Sequence, residues 1–505
     1  MPAACLMIQG TSSGAGKSLL AAALCRLFAR AGHRVAPFKA QNMSLNAAVT
    51  VDGGEIGRAQ AAQAEAAGIE ASVDMNPILL KPEGDDCSQL VVRGRAQAQV
   101  RWREYLARQS ELAPVVAESL ARLRARVDVV IIEGAGSPAE INLREADLVN
   151  MHVARLAEAT VLLVGDIERG DVFTALVGTL ALLAPDDRAR VAGLIINRLR
   201  GDARILAPGL DELRARTGVP VLGVLPWIAE RLMPAEDSLD LDERPMSHGD
   251  VLVDIAVVRL PRMANFDDFE WLAAEPGVRV RWVTAPGALD GADLVVLPGS
   301  KSVVADLGWL RARGLAPAIV SAAAAGRPVL GVCGGYQMLG RTLRDPEGVE
   351  SSVAAAPGLD LLPVETTFVR EKTTRRVRAR VSGEGPFGDA RGATADAYEI
   401  HAGVTRPLDS AVARPFAIVE RAGAAVDEPD GALVGSVCGT YLHGVFSSGR
   451  VRRALLGWLA ARAGRGPDTG WGAEAPRLAR WDRLADIVAD ALDVAAIAKL
   501  VRRRL

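Results

Sequence analysis

Short apolar runs alternate along this chain with longer Ala-, Leu- and Arg-rich stretches, and that alternation limits the fold more than any other feature. In the first half the runs are "ACLMIQ", "VAPFK", "VDVVIIEG", "TVLLVGD", "VAGLIINR" and "PVLGVLP", with helical patterns such as 17–31, 111–126 and 171–184 between them. A run apolar on both faces, followed by a crossover helix, predicts parallel strands covered on both sides: α/β architecture with a doubly wound sheet. The pattern breaks at "LMPAEDSLDLDERPMSHGD", then resumes with "VLVDIAVVRL", "VRVRWVTA", "ADLVVLPGS", "RPVLGVCGG" and "GSVCGTYLHGVF". A chain of 505 residues is too long for one ordinary core. We therefore expect two doubly wound domains, 1–231 and 251–449, a polar linker at 232–250, and a helical segment at 450–505.

Other classes are set aside by charge and composition. With 59 basic against 61 acidic residues and a net charge of −2, no basic footprint points to nucleic acid. No apolar run approaches membrane-spanning length. Five scattered cysteines without metal-type spacing suit a reducing compartment. The opening "MPAACLMIQG" runs straight into a glycine loop rather than reading as a secretion signal, so a cytoplasmic protein is expected.

That loop, "IQGTSSGAGKSLLAAAL", lies between the first strand and the first helix. Backbone N–H groups in such a turn ring a phosphate, with Lys17 on the outer phosphates and the Ser18 hydroxyl on Mg²⁺. The spacing is longer than the standard pattern, since Gly10 precedes Gly16 by five intervening positions that include Thr11 and Gly14. ATP with Mg²⁺ is the expected ligand pair. Glu133, ending "VDVVIIE" at the carboxyl edge where open sheets bind ligands, is the best-placed acid for the metal. Asp52 and Glu55 are further candidates. Asn197, closing the strand "GLIIN", either reads a base edge or is a structural cap.

In the second half "LGVCGGYQMLG" sets Cys333 between a short apolar strand and a glycine-led helix. A strand–turn–helix corner of that kind exposes a nucleophile above the sheet. Of five histidines, His443 in "GTYLHGVF" follows a long apolar strand and is the expected base, with His401 in "YEIHAG" its rival. These two stretches resemble the glutaminase domain of class I, triad-type amidotransferases, which implies a flavodoxin-like second domain. The resemblance also implies that "VVLPGSKS" supplies an oxyanion donor from Gly299 or Ser300 beside that of Gly334. Those enzymes usually carry Glu two residues after the histidine, whereas this chain has Val445. The third acid is then absent or comes from elsewhere, with Glu365 and Glu399 as candidates.

The front half resembles the dethiobiotin-synthetase-like phosphate-loop family, which activates carboxylates with MgATP. Over nearly its whole length the chain resembles the corrinoid amidotransferases. "FKAQNMSLNA", "VDGGEIGRAQ", "VGDIERGDVF" and "YEIHAG" are similar to the branch that amidates the b, d, e and g carboxylates of (adenosyl)cobyrinic acid a,c-diamide. The resemblance implies glutamine and that corrinoid as partners, with ammonia from glutamine hydrolysis. Gln41, Asn42, Asn46, Asp166 and Arg169 become candidate substrate contacts, with Gln60 beside them, because neutral amides and a guanidinium suit a ligand rimmed with amides and carboxylates. A homo-oligomer is compatible with the sequence. The rival class is an ATP-driven switch protein, but the second, early lysine usual in those loops has no counterpart in Thr11–Ala15.

Overall fold

A computed structural model describes residues 2–502, apart from 85, 143–146, 231, 235–250, 384, 475 and 477. It divides into two units. The first comprises Met1–Ser44, Glu55–Pro234 and Pro476–Leu505; the second comprises Leu45–Gly54 and Ala235–Ala475. Most of the expected linker, from 235 onward, lies outside the described residues.

In the first unit six parallel strands run in the order Val221–Pro226, Val191–Leu199, Thr160–Asp166, Ala4–Gly10, Val129–Glu133, Val35–Phe38. Alternate residues of the wholly buried strand Ala4–Gly10 enter different cores: Cys5 and Met7 on one face, Leu6 and Ile8 on the other. That is the α/β sandwich expected from runs without polar alternation. The first helix, Lys17–Arg30, is rich in Ala and Leu and buries Leu20, Leu24 and Phe28. A four-stranded sheet, Gln41–Met43, Ile78–Pro82, Cys87–Val92 and Arg95–Arg101, adds antiparallel structure that the apolar pattern did not announce. Its outer strand is almost wholly exposed, so it carries no hydrophobic signal.

The second unit is built on strands Val278–Val283, Val253–Val258, Leu294–Leu297, Val329–Val332 and Val437–Thr440, parallel and in spatial order 2-1-3-4-5, with Ala432–Val434 antiparallel at the edge. This is the flavodoxin-like order, and its switch point lies between the first and third strands. A long hairpin of Val364–Val381 with Thr394–Pro407 anchors a second, mixed sheet.

The 450–505 stretch is helical, and its helices divide between the two units. Helix Gly449–Arg462 stays with the second unit, where Arg452 is buried on Glu275. Helices Ala479–Ala491 and Val494–Arg502 join the first, burying Trp481, Leu484, Val488 and Ile497 in the core that also takes Leu20 and Leu24. Arg26 clasps Asp482 through two bonds, at 2.7 and 3.0 Å. Helical periodicity says that a face is apolar without saying which core receives it. Among the described residues no helix is long and apolar enough to cross a membrane.

Candidate active site

Cys333 follows strand Val329–Val332 and precedes helix Gly334–Leu339, at φ 50° and ψ −107°. For a residue with a Cβ this backbone is strained, as at a nucleophile elbow. The turn is crowded. A Cβ on Gly335 would lie 1.9 Å from the Leu297 carbonyl oxygen, and one on Gly334 would lie 2.7 Å from the Ser300 nitrogen. Both positions therefore need glycine for close approach, which draws the elbow against the loop after the neighbouring strand.

His443 is buried, and its Nδ1 lies 2.7 Å from the Asp268 carboxylate, whose other oxygen accepts the Gly444 N–H at 2.7 Å. Cys333 acts electrostatically on the same imidazole; with Nδ1 taken by Asp268, Nε2 is the nitrogen left for it. Burial pulls the imidazole pKa down, but the Asp268 charge and then Cys333 outweigh it, raising it from 6.5 to about 10. The imidazolium is thus the resting form at neutral pH.

Asp268 was not among the expected acids. Glu365 instead pairs with Arg344 at 2.7 Å, and Glu399 sits between His401 and Arg421. The signal was the "FDDF" stretch just past strand Val253–Val258. Strands one, three and four of the sheet thus place Asp268, Ser300 and Cys333 at one edge, around the switch point. Asn46 shares in this: its Oδ1 accepts the Phe266 N–H at 3.3 Å, so its carboxamide braces the turn that carries Asp268. His401 is turned away, with Nδ1 2.8 Å from the Gly403 carbonyl and its ring stacked on Tyr441. Its motif still frames the site: Tyr398 stacks on His443, and the Ile400 carbonyl lies 3.5 Å from the Cys333 sulfur.

The antiparallel pairing of Met263–Ala264 with Gly299–Ser300 separates the two oxyanion candidates. Lys301 N–H bonds to Arg262 O at 2.9 Å, so the hydrogen-bonded pairs are 262/301 and 264/299. Antiparallel alternation then turns the Ser300 N–H away from this ladder and uses that of Gly299 within it. The Ser300 hydroxyl bonds Asp306 at 2.7 Å.

In the first unit the phosphate loop follows the central strand. Gly14 and Gly16 hold φ values of 74° and 98°, which only glycine adopts without strain. Lys17 folds back so that its Nζ bonds Ser12 O at 2.8 Å and Gly136 O at 3.2 Å. Ser18 Oγ donates to Glu133 at 2.8 Å; Lys39 Nζ reaches the same carboxylate oxygen at 2.8 Å, and Gln63 Nε2 reaches the other at 2.5 Å. Gln60 Nε2 stands 3.4 Å from that second oxygen. Lys39 and Gln63 were not foreseen, although Lys39 closes a strand at the ligand edge.

The remaining sequence candidates divide. Asn197 Nδ2 bonds the Ala15 carbonyl at 2.9 Å, and a Cβ on Gly16 would strike it, so its amide holds the loop. Thr11 N–H bonds Val164 O, which commits that donor to the fold. Gly10 lies beneath Lys17: a Cβ there would stand 3.0 Å from Nζ. Arg169 overlies Gly14 and stands 3.8 Å from Asp166, which also pairs with Arg198 at 3.1 Å. Asn42 spends its side chain on Gln60 and Met43 N–H. Gln41 lines a cavity described below. Asp52 lies in the 45–54 segment and accepts the Thr50 hydroxyl, while Glu55 is buried against Lys81. Among the described residues no group of three or more His, Cys, Asp or Glu forms a metal cage. A hydroxyl and one carboxylate are nevertheless what Mg²⁺ takes from protein when phosphates and water supply the rest, so Ser18 and Glu133 fit it.

Residues 6–237 match the CobQ/CobB/MinD/ParA nucleotide binding domain, and residues 254–451 match the CobB/CobQ-like glutamine amidotransferase domain. Fold and site together define a glutamine-hydrolysing amidotransferase of the ligase class that carries its own nucleotide-binding unit. The chain is 53% identical to the cobyric acid synthase of Sorangium cellulosum (strain So ce56), covering 99% of each chain. It is 51% identical to that of Rhodococcus jostii (strain RHA1), over 98% of this chain and 95% of the relative. It is 49% identical to that of Moorella thermoacetica (strain ATCC 39073 / JCM 9320), over 98% and 97%. The chain belongs to the cobyric acid synthase family.

Proposed function

We propose that the chain amidates the b, d, e and g carboxylates of (adenosyl)cobyrinic acid a,c-diamide, using ATP to activate each carboxylate and glutamine as the source of ammonia. The supporting observation is that one chain carries both the Cys333–His443–Asp268 array and a phosphate loop whose Lys17 and Ser18 stand beside buried Glu133.

In this reading the Cys333 thiolate, paired with imidazolium His443, attacks the glutamine amide carbon. The Gly334 and Ser300 N–H groups hold the oxyanion. His443 gives its proton to the departing nitrogen, so ammonia leaves and a thioester remains. His443 then takes a proton from water, whose oxygen displaces the sulfur and releases glutamate. Asp268 keeps Nδ1 protonated throughout, which presents Nε2 to the sulfur.

At the phosphate loop, Lys17 and the loop N–H groups bind and orient the ATP phosphates, and Arg169 extends the positive edge toward the substrate carboxylate. Mg²⁺, held by Ser18 and Glu133, supplies charge neutralisation on the phosphates when bound. Transfer of the terminal phosphoryl group to a propionate oxygen forms an acyl phosphate and ADP. Ammonia adds to its carbonyl carbon and phosphate leaves, giving the amide. Purified protein supplied with MgATP, glutamine and cobyrinic acid a,c-diamide should yield, by product mass, four successive exchanges of carboxylate for carboxamide. Glutamine hydrolysis without any corrinoid product would refute the reading.

A further inference from the structure

The first unit holds a cavity of about 270 Å³ that none of the steps above uses. One wall is Trp102 with Tyr105, rings 28° from parallel and centroids 5.9 Å apart. Trp102 leaves 45% of its surface exposed, a large apolar face at the cavity mouth. The Tyr105 hydroxyl bonds Gln41 Oε1 and so fixes that carboxamide at the edge. The 135–138 loop also lines it, and its Gly136 carbonyl accepts from Lys17 Nζ. A molecule in the cavity therefore touches the loop that braces the phosphate lysine.

The lining is electrostatically one-sided. Among the described residues, Glu140, Asp147 and Asp187 stand against a single guanidinium, Arg155. Asp187 is paired with Arg155 at 2.7 Å, and Asp147 accepts the N–H groups of Val149, Asn150 and His152 at 2.7–3.0 Å. Glu140 is exposed at the rim and makes no ion pair among the described residues. A cleft whose described lining is net negative repels carboxylate and phosphate and accepts N–H donors. Its volume is below the roughly 300–1,000 Å³ of pockets that enclose a whole drug-sized ligand, so it suits an arm of a larger molecule whose flat body remains outside.

We propose that this cavity receives an already amidated, uncharged side arm of the corrinoid, with the macrocycle edge lying on Trp102. It admits a carboxamide arm and disfavours a carboxylate arm, while a neighbouring propionate is presented to the phosphate loop. This rests on the corrinoid reading above and adds the basis on which an amidated substrate is preferred.

The test is equilibrium dialysis of the full chain with cobyrinic acid a,c-diamide and with unamidated cobyrinic acid. Wild type should bind the diamide at least ten-fold more tightly. Trp102→Ala should weaken diamide binding ten-fold or more, Trp102→Phe should recover most of it, and ATP binding by the phosphate loop of the same unit should stay within two-fold, which excludes misfolding of that unit. Glu140→Gln should narrow the diamide preference three-fold or more. Equal binding of the two corrinoids by wild type, unaltered diamide binding by Trp102→Ala, or an unchanged preference in Glu140→Gln would each overturn the proposal. Failure of wild type to produce amidated corrinoid would count against the proposed function instead, since the dialysis reads the cavity without turnover.

Discussion

Replacing Asp268 with asparagine removes one charge from the array and almost no volume. In the native site Asp268 and Cys333 together overcome burial and raise the His443 pKa from 6.5 to about 10, a net preference for the imidazolium of about 5 kcal/mol at ~1.4 kcal/mol per pH unit. Asp268 is the larger of the two influences, so its loss leaves Cys333 alone to oppose burial and lowers the imidazole pKa, favouring the neutral form. The asparagine carbonyl can still accept the Gly444 N–H, but its NH₂ then faces Nδ1 and forces the ring proton onto Nε2. That tautomer presents an N–H to the Cys333 sulfur where an acceptor is required. We expect glutamine hydrolysis to fall by about 10³–10⁴-fold, the scale of losing the orienting acid in a triad. Synthesis driven by added ammonium should stay within two-fold, because the phosphate loop is untouched. Glutamate release from pH 6 to 10, with ¹⁵N spectra of the His443 ring to read the tautomer, checks both expectations. Hydrolysis within ten-fold of wild type, or a His443 ring still doubly protonated at pH 9, would refute this account of Asp268.

Three further outcomes follow from the same geometry. Cys333→Ala should abolish glutamine-dependent synthesis while high ammonium still supports it, measured by corrinoid product mass with each nitrogen source. Lys17→Ala should remove synthesis from either source while glutamine hydrolysis persists, since carboxylate activation precedes amide formation; ADP release assays show which half has failed. Asp306 is buried, and despite its bonds from Ser300 and Arg262 its pKa rises from 3.8 to about 6. The folded state therefore holds this proton more tightly than the unfolded chain, and stability falls as pH rises from about 4 to about 6, by up to ~3 kcal/mol. Asp306→Asn should melt higher than wild type at pH 8, by a margin that shrinks through pH 5 and is gone below pH 4 in calorimetric scans.

What the chain discloses without its fold is whatever depends on neighbours in sequence. The buried strands are continuous runs of Val, Ile and Leu, so the doubly wound sheets can be read from them directly. The elbow at Cys333 and the loop at Lys17 are legible because strand, glycines and helix follow one another within a dozen residues. His443 could be inferred, since a long apolar strand leads to it and strands of one parallel sheet end at a common edge. Asp268 could not: only the return of the first strand to the middle of the sheet brings it to an imidazole 175 residues away. The convergence of Lys39 and Gln63 on Glu133, and of Asn46 on Phe266, has the same origin. So does the choice between Gly299 and Ser300, which rests on the alternation of hydrogen bonds in a two-residue ladder. The final helices make the physical reason plain. Their apolar faces are evident in the sequence, yet which core receives them depends on packing against Leu20, Leu24 and Arg26, residues more than 450 positions earlier, and only the tertiary structure decides that.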